Sequence, residues 1–430
     1  MSLDLIPYEL VLHTSLYLPL SSITRLCQTN RQYNELICNN ENFWRAKFVK
    51  DYGSYFRDIN KFALEYGGDV PERSGWKKLY KNYLNTYVFG NNYFGQLGLG
   101  DKENRNIATE MPDLKAKQIS AAGNSTMIID LDNNVWSFGL NNNGQLGLGD
   151  NQDRSIPTQV PNFKARQVSV GNHHSVAIDL KDNVWVTGDN YWGQLGLIGI
   201  SNVNEFAQLP DFKARQVSAG FNYTTTIDLE NNVWVFGKDN NGALGLNVRN
   251  GTVVPMPTQI PNFKARQISA GSYHTIAIDL DNNVWGFGSN RLGSLGLGDK
   301  INRRVPTQIP NVKAEQVSAG DNYTVIIDLD NNVWVIGNNY YGQLGLGNIK
   351  EAISVTQIPN IKAKQVSAGY FHTVIIDLRR NVWVSGHNGH GQLGLGDKIE
   401  RRAFTQVPNI KAKQISAGKN YTVLIGNKIK

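Results

Sequence analysis

The 430-residue chain is 40% hydrophobic and only 18% charged, enough to bury a sizeable core without disulfides. Its net charge of +7 is spread out, with no basic tail, so nucleic acid is neither demanded nor favoured as a partner. Two cysteines, Cys27 and Cys38, without metal-ligand spacing suit a reducing compartment; with no signal-peptide pattern and no apolar run of membrane length, the expectation is a cytoplasmic or nuclear protein that is not secreted.

Residues 1–85 predict a small all-α module. Pro7 and Glu9 suit a first helical turn, and Leu10, Val11, Leu16 and Leu18 follow on an apolar pattern. Leu18-Pro19 breaks that helix. Ser21-Ser22 can cap a second, carrying Ile23, Leu26 and Cys27, and a third follows Asn30 with Tyr33, Leu36 and Ile37, then Phe43, Trp44 and Phe48. Ser74 can cap a further helix whose apolar side holds Trp76, Leu79, Tyr80, Tyr83 and Leu84; it runs into the next segment without a linker, which predicts rigid coupling. Leu5, Pro7, Leu10, Leu16, Leu18, Pro19, Ile23 and Leu26 are more apolar residues than three short helices can bury among themselves. Surplus apolar surface marks a partner site.

The run LIPYELVLHTSLYLPLSSITRLCQTNRQYNELICNNENFWRAKF resembles an F-box. The resemblance rests on Ile6-Pro7-Tyr8-Glu9-Leu10, Leu18-Pro19, Asn30-Arg31-Gln32-Tyr33 and Trp44-Arg45, and departs from the family where Ile6 replaces the usual leucine. It implies that those eight apolar residues dock a Skp-type adaptor, and through it a cullin-RING ubiquitin ligase.

From residue 86 onward the chain repeats. The glycine closing a VWxxG strand recurs at Gly90, Gly139, Gly188, Gly237, Gly288, Gly337 and Gly386, at steps of 49 residues with a single step of 51. In the unit Pro306 to Asn348, PTQIP reads as a first strand, Ala314 to Ala319 as a second, Thr324 to Leu329 as a third and Val333 to Gly337 as a fourth. Asp330-Asn331-Asn332 is turn chemistry that tolerates positive φ, and GQLGLG is a glycine-rich crossover. Four strands per unit in seven units predict an all-β seven-bladed propeller over 86–430. Tyr87 to Gly90 reads as a fourth strand without its first three, and Tyr421 to Ile425 as a third without its fourth, so the N-terminal strand is expected to close the ring and remove exposed edges.

GQLGLGD, PTQIPN, SAGxxHT and VWxxGxN together resemble the regulator-of-chromosome-condensation repeat family. That family includes guanine-nucleotide exchange factors for small GTPases, chromatin binders and ubiquitin-ligase receptors, and fold alone does not choose among them. Its exchange factors use a protruding wedge inserted in one blade, whereas no insertion here exceeds two residues. Asn-, Ile- and Lys-rich usage with near-identical units suggests an AT-rich genome, and F-box chains with such repeats resemble proteins of large DNA viruses of amoebae, which would place this chain in a host cell.

Each recurrent residue first invites an architectural reading. Trp136, Trp185, Trp234, Trp285, Trp334 and Trp383, with Phe89 in register, are expected as buried core between blades. His174, His274 and His372 share the SAGxxHT position with Tyr223, Tyr323 and Tyr421, and with Ser125 in one unit; the His/Tyr interchange argues for a common hydrogen-bond role and against metal or acid–base chemistry. Asp130, Asp179, Asp228, Asp279, Asp328 and Asp377 occupy one repeat position and read as architectural. The lysines at 115, 164, 213, 264, 313, 362 and 411 read as a solvated rim. The GQLGLG loops lack the Gly-Lys-Ser/Thr ending of a phosphate loop, and no catalytic set breaks the pattern, so no catalysis, metal or cofactor is expected.

Function belongs where the repeats differ. The residues after each VWxxG glycine vary most and put Tyr93, Phe94, Tyr191, Trp192, Arg291, Tyr340, Tyr341, His387 and His390 on loops, where they are expected to bind a substrate protein. A second variable set lies inside SAGxxHT: Asn172, His173, Phe221, Asn222, Asp321, Asn322, Tyr370 and Phe371. The sequence leaves open which set faces the partner. The expectation is a monomeric, non-enzymatic ubiquitin-ligase adaptor, with a nucleotide exchange factor for a small GTPase or a chromatin-binding propeller as the alternatives.

Overall fold

The structure, a computed structural model, describes residues 12–13, 15–18, 22–23, 27, 37–52, 85–112 and 114–429. The chain divides into two compact units, 1–85 and 86–430.

In the first unit, a helix spans Glu41–Tyr52. Asn40 caps it, its side-chain oxygen accepting from the Phe43 amide at 3.2 Å. Ile23, Ile37, Phe43, Trp44 and Phe48 are buried. Trp44 keeps its indole N–H satisfied by donating to the Cys38 carbonyl at 3.1 Å, and Lys47 donates to the Leu16 carbonyl at 2.9 Å. Of the eight residues proposed for adaptor docking, Leu16 and Leu18 are half-buried and Ile23 is wholly buried. Leu5, Pro7, Leu10, Pro19 and Leu26 lie outside the described residues, as does the segment expected to form the Trp76 helix. Cys27 and Cys38 form a disulfide, their Cα atoms 6.2 Å apart. This differs from the reduced thiols expected of a reducing compartment; the fold brings together two residues whose spacing carried no metal signal.

The second unit is built of antiparallel strands arranged in sheets of 13, 7 and 4 strands. The strand Tyr323–Asp328 pairs with Asn332–Asn338, placing Tyr323 opposite Gly337 and Ile326 opposite Trp334. The hairpin between them turns at Asn331, whose φ of 66° is the left-handed conformation that asparagine tolerates. PTQIP departs from its expected place. It belongs to one 17-residue strand, Arg303–Ala319, bent at Asn311 with φ 61°. The first half pairs with the preceding repeat's Asn283–Gly288, Trp285 opposite Gln308; the second half pairs with Tyr323–Asp328 of its own repeat. PTQIP is therefore the outer strand of the preceding repeat, where a proline costs no ladder hydrogen bond. The same correction applies at the chain's start. Asn85–Gly90 is followed by a partner strand of its own, Arg105–Glu110, and both stand beside Arg401–Ala417 and Tyr421–Lys428 in the strand order. The N-terminal segment thus adds two strands there, not one.

Successive repeats are sewn together at their inner strands. Serine hydroxyls accept from backbone amides of the next repeat: Ser120 from Val170, Ser169 from Ala219, Ser218 from Ala270, Ser269 from Ala319, Ser318 from Ala368, Ser367 from Ala417 and Ser416 from Ala121, all at 2.8–3.0 Å. Apolar clusters straddle the repeats in the same way. Ile276, Ile278, Val284 and Leu295 pack with Val317, Ile326 and Ile336 of the next.

The tryptophans are a second correction. Each is half-buried, flanked by fully buried neighbours. The reason is the indole N–H, which donates to the repeat's aspartate: Trp185 to Asp179 at 3.0 Å, Trp334 to Asp328 at 2.8 Å. The other oxygen of each aspartate accepts from two hairpin amides, as in Asp328 with Asp330 and Asn332. Burial alone would raise these carboxyls, but the donated hydrogen bonds hold Asp179, Asp228, Asp279 and Asp328 below the usual range.

Candidate protein-interaction face

The two variable loop sets share one face. The strand pairing sets the residue at the His/Tyr position opposite the VWxxG glycine, as with His174 and Gly188, or Ser125 and Gly139 in the first repeat. The residue after that glycine then donates to the loop before the ring residue: Asp189 to the His173 carbonyl at 2.9 Å, Asn338 to Asn322 at 3.0 Å, His387 to Phe371 at 2.9 Å. The glycine makes this turn feasible. Gly337 sits at φ 103°, and a Cβ there would stand 2.6 Å from the Asn322 carbonyl.

Buried side chains fix the outer loops. Asn190, 7% exposed, accepts from the Leu195 amide at 2.9 Å and donates to the Leu197 carbonyl at 2.8 Å. Gln194 accepts from the Trp192 amide at 2.8 Å. The same pair of clamps recurs around Asn92 with Gln96 and Asn339 with Gln343. Held this way, the first residue of each aromatic pair is pushed outward: Tyr93, Tyr191 and Tyr340 are 70%, 75% and 63% exposed. Each meets its half-buried neighbour, Phe94, Trp192 or Tyr341, edge-on, at 79°, 89° and 84°. Lys238 from the next repeat lays its ammonium 3.4 Å from the Trp192 ring centre. Tyr341 lies against Phe371 and His387, ring centres 5.2 and 5.1 Å away, which joins the outer and inner sets directly. His387 Nδ1 accepts from the Gln392 amide nitrogen at 2.8 Å, and His390 Nδ1 from that of Asn91 at 3.3 Å. Burial lowers the pKa of both histidines; His390 adds to the effect on His387 against the pull of Glu400, and Lys398 adds to it on His390. Arg291 is exposed on its loop.

Inward of these loops, the His/Tyr position carries the shared hydrogen-bond role expected of it. His174 Nε2 meets Thr224 Oγ1 at 2.9 Å, and that hydroxyl already donates to the Gln194 carbonyl, so Nε2 carries the proton. Tyr223 supplies an equivalent donor, its hydroxyl giving to the His274 carbonyl at 2.7 Å. The glycine before each ring is held bare by it: a Cβ on Gly171 would lie 2.7 Å from both His174 Cε1 and the Gly220 carbonyl.

The innermost loop position differs in every repeat: Gly123, Asn172, Phe221, Ser272, Asp321, Tyr370 and Lys419. Below it lies a cavity of about 200 Å³ lined by the Ser, Ala and Gly residues of the inner strands. Tyr370 donates to Asn172 Oδ1 at 2.8 Å, linking residues 198 apart in sequence. Burial pushes the Tyr370 hydroxyl well above its usual pKa. Burial also raises the Asp321 carboxyl, against the hydrogen bonds of Ser272 and Asn322 and the attraction of Lys419. None of these contacts is visible in the sequence, although a repeat position at which no two copies agree is the signal that points to it.

The rim lysines belong to the hairpin end of the strands. Lys164, Lys264, Lys313 and Lys362 donate to hairpin carbonyls of Asp132, Glu230, Asp281 and Asp330 at 3.1–3.3 Å. They brace turns more than they form a free cationic ring. Among the described residues, no group of three or more His, Cys, Asp or Glu side chains is placed to hold a metal, and no helix is long and apolar enough to cross a membrane.

No curated protein matches the chain. Several solved structures share its fold. Prp20p from Saccharomyces cerevisiae, described with its binding properties to Gsp1p and histones, is 21% identical with a TM-score of 0.74, covering 82% of this chain and 95% of that one. Yeast RCC1 (Prp20) in complex with Kap60 gives 20% identity and 0.73, covering 81% and 90%. Human WBSCR16 gives 21% and 0.72, covering 81% and 100%. The model of the RCC1-like domain matches residues 85–424. With most of its length inside that match and the propeller fold of those neighbours, the chain belongs to the RCC1-like domain family.

Proposed function

We propose that residues 86–430 form seven four-stranded blades closed into a ring, whose loop face docks a protein without catalysing a reaction on it. The observation that carries the reading is the set of three exposed tyrosines, Tyr93, Tyr191 and Tyr340, each braced by a second aromatic ring on a loop clamped from below. Rigid aromatic side chains on fixed loops supply contact area at low entropic cost. The inner serine bonds, which run from repeat to repeat and return from Ser416 to Ala121, support closure.

The F-box-like run supplies the purpose. A Skp-type adaptor docked on the F-box-like run, residues 5–48, with a cullin-RING ligase behind it, would present the propeller's partner for ubiquitin transfer in the cytoplasm or nucleus of the cell, a host cell if the chain is viral. Titration of the full chain with a purified Skp-type adaptor tests this. Saturable binding below tens of micromolar is expected. No association between two folded proteins would sink the ligase reading and leave a docking propeller with a helical cap.

A second reading is exchange activity on a small GTPase, favoured by the binding to Gsp1p described for Prp20p, a fold neighbour. Against it stands the absence of any repeat insertion longer than two residues in the sequence. A nucleotide-release assay with a panel of small GTPases separates the two.

A further inference from the structure

We propose that the mouth of the axial cavity is a socket for a basic side chain, arginine or lysine, presented by the docked protein, and that Lys419 occupies this socket in the free chain. The inference rests on the loop face being the docking face and names what that face recognises at its centre.

Asp321 is the acceptor. Its carboxylate is half-buried, and the donors it takes are neutral: Asn322 Nδ2 at 2.5 Å and the Ser272 hydroxyl. A carboxylate withdrawn from water is costly until a cation is brought to it. Lys419 acts on Asp321 electrostatically while lying over Tyr370, its ammonium 5.8 Å from the ring centre. The chain's own ammonium thus lies over the aromatic wall within electrostatic reach of Asp321 but forms no ion pair with it, so a foreign cation can come closer. The walls suit the same guest. Tyr370 is held in place by its bond to Asn172, and Phe221 stacks on Tyr273 at 5.8 Å, giving aromatic faces beside the carboxylate. Gly123, the smallest residue at this repeat position, leaves the rim low next to Lys419, whose amide donates to the Gly123 carbonyl at 3.2 Å. An acidic guest would be drawn to Lys419 but would face Asp321, and it would gain nothing from the aromatic walls.

Titration calorimetry with three capped pentapeptides tests this: Gly-Gly-Xaa-Gly-Gly with arginine, its neutral isostere citrulline, or glutamate at the centre. The proteins are the wild-type chain, Lys419→Gln, and Lys419→Gln with Asp321→Asn. Lys419→Gln should bind the arginine peptide about tenfold tighter than wild type, because the internal competitor is gone, and should ignore citrulline. Adding Asp321→Asn should reverse the gain. If the double variant does not fold, as judged by its thermal melt, Tyr370→Leu in the Lys419→Gln background takes its place and should also weaken binding. Equal affinity of wild type and Lys419→Gln, indifference to Asp321→Asn, or preference for the glutamate peptide each overturns the socket. Lys362→Gln, at the hairpin end of the strands, in the Lys419→Gln background should leave peptide binding unchanged. A partner protein that depends on Trp192 while the peptide fails would sink the socket and spare the docking face.

Discussion

The amide of Ala121 donates to the hydroxyl of Ser416, 295 residues away in sequence, at 2.8 Å. Beside it, Tyr421 gives its hydroxyl proton to the Ser125 carbonyl at 2.5 Å and meets the Thr126 hydroxyl at 3.1 Å. The Ser416–Ala121 bond between the last and first repeats has the same form as the serine bonds between consecutive ones. Deleting residues 421–430 removes the strand Tyr421–Lys428, and with it the strand neighbour of Asn85–Gly90. The expected outcome is loss of a single cooperative melt, since an exposed strand edge and an open apolar cluster replace a paired one. An unchanged melting temperature would mean that the repeats are stable without this junction.

Trp334 should count for less than a fully buried tryptophan. It is half-buried, and its ring packs at the edge of an apolar cluster while its N–H is spent on Asp328. Trp334→Ala should cost about 2–3 kcal/mol, below the range for a complete core truncation. Trp334→Phe, which keeps much of the packing and loses the hydrogen bond, should cost about 1 kcal/mol. Urea midpoints of the two variants decide the split; equal losses would assign the whole effect to the N–H.

Much of this architecture is legible from residue types alone. The period, the hairpins at Asp-Asn-Asn and the donor role shared by His174 and Tyr223 all follow from local chemistry repeated many times. What was not legible depends on pairing at a distance. PTQIP carries a strand pattern but nothing in its own residues says that its partner lies in the preceding repeat; the crossover loop decides that. The tryptophans read as core because indole is apolar, and their half-burial follows from the position of the aspartate that their N–H seeks. Tyr370 and Asn172 meet only because the two inner loops converge, and Cys27 and Cys38, 11 residues apart, pair only because the fold brings them together.

Acid should loosen the propeller in a defined window. His174, His274 and His372 are fully buried, and burial lowers their pKa from 6.5 to about 3, about 4 and about 3. Their Nδ1 atoms are buried without a hydrogen-bond partner among the described residues, so a proton placed there is unsupported. The folded pKa lies below the unfolded one, so the unfolded chain takes up protons first. Stability is therefore whole above pH 6.5 and falls as the pH drops, down to about 4 for His274 and about 3 for His174 and His372. The hairpin aspartates, with folded pKa below their ordinary 3.8, add their loss only below that value. His274→Tyr, a residue its neighbours already use, should reduce the loss between pH 6.5 and 4 and leave the steeper loss below 3.8 in place. Chemical denaturation across that range reads both; an identical acid profile in the variant would remove the histidines from the account.

The loop aromatics should be separable from the fold. The backbone around Trp192 is set by Asn190 and Gln194, whose bonds to main-chain groups do not involve the indole. Tyr191 is 75% exposed, so its ring gives little to stability. Tyr191→Ala and Trp192→Ala should therefore each cost under about 1 kcal/mol in unfolding. The same changes should weaken a partner bound on this face by about 2 kcal/mol each, the scale of an interface hot spot. Lys238→Met supplies a finer contrast: it removes the ammonium 3.4 Å from the Trp192 ring while keeping an apolar side chain of similar length. Asn190→Ala is the opposite control, since it strips a buried clamp and should lower stability and binding together. Affinity purification with the wild-type chain supplies a partner, and titration of that purified partner against the four variants reads the pattern. A partner that binds Tyr191→Ala and Trp192→Ala as tightly as wild type, while losing affinity for a variant at the rim lysines, would move the docking site to the hairpin end of the strands.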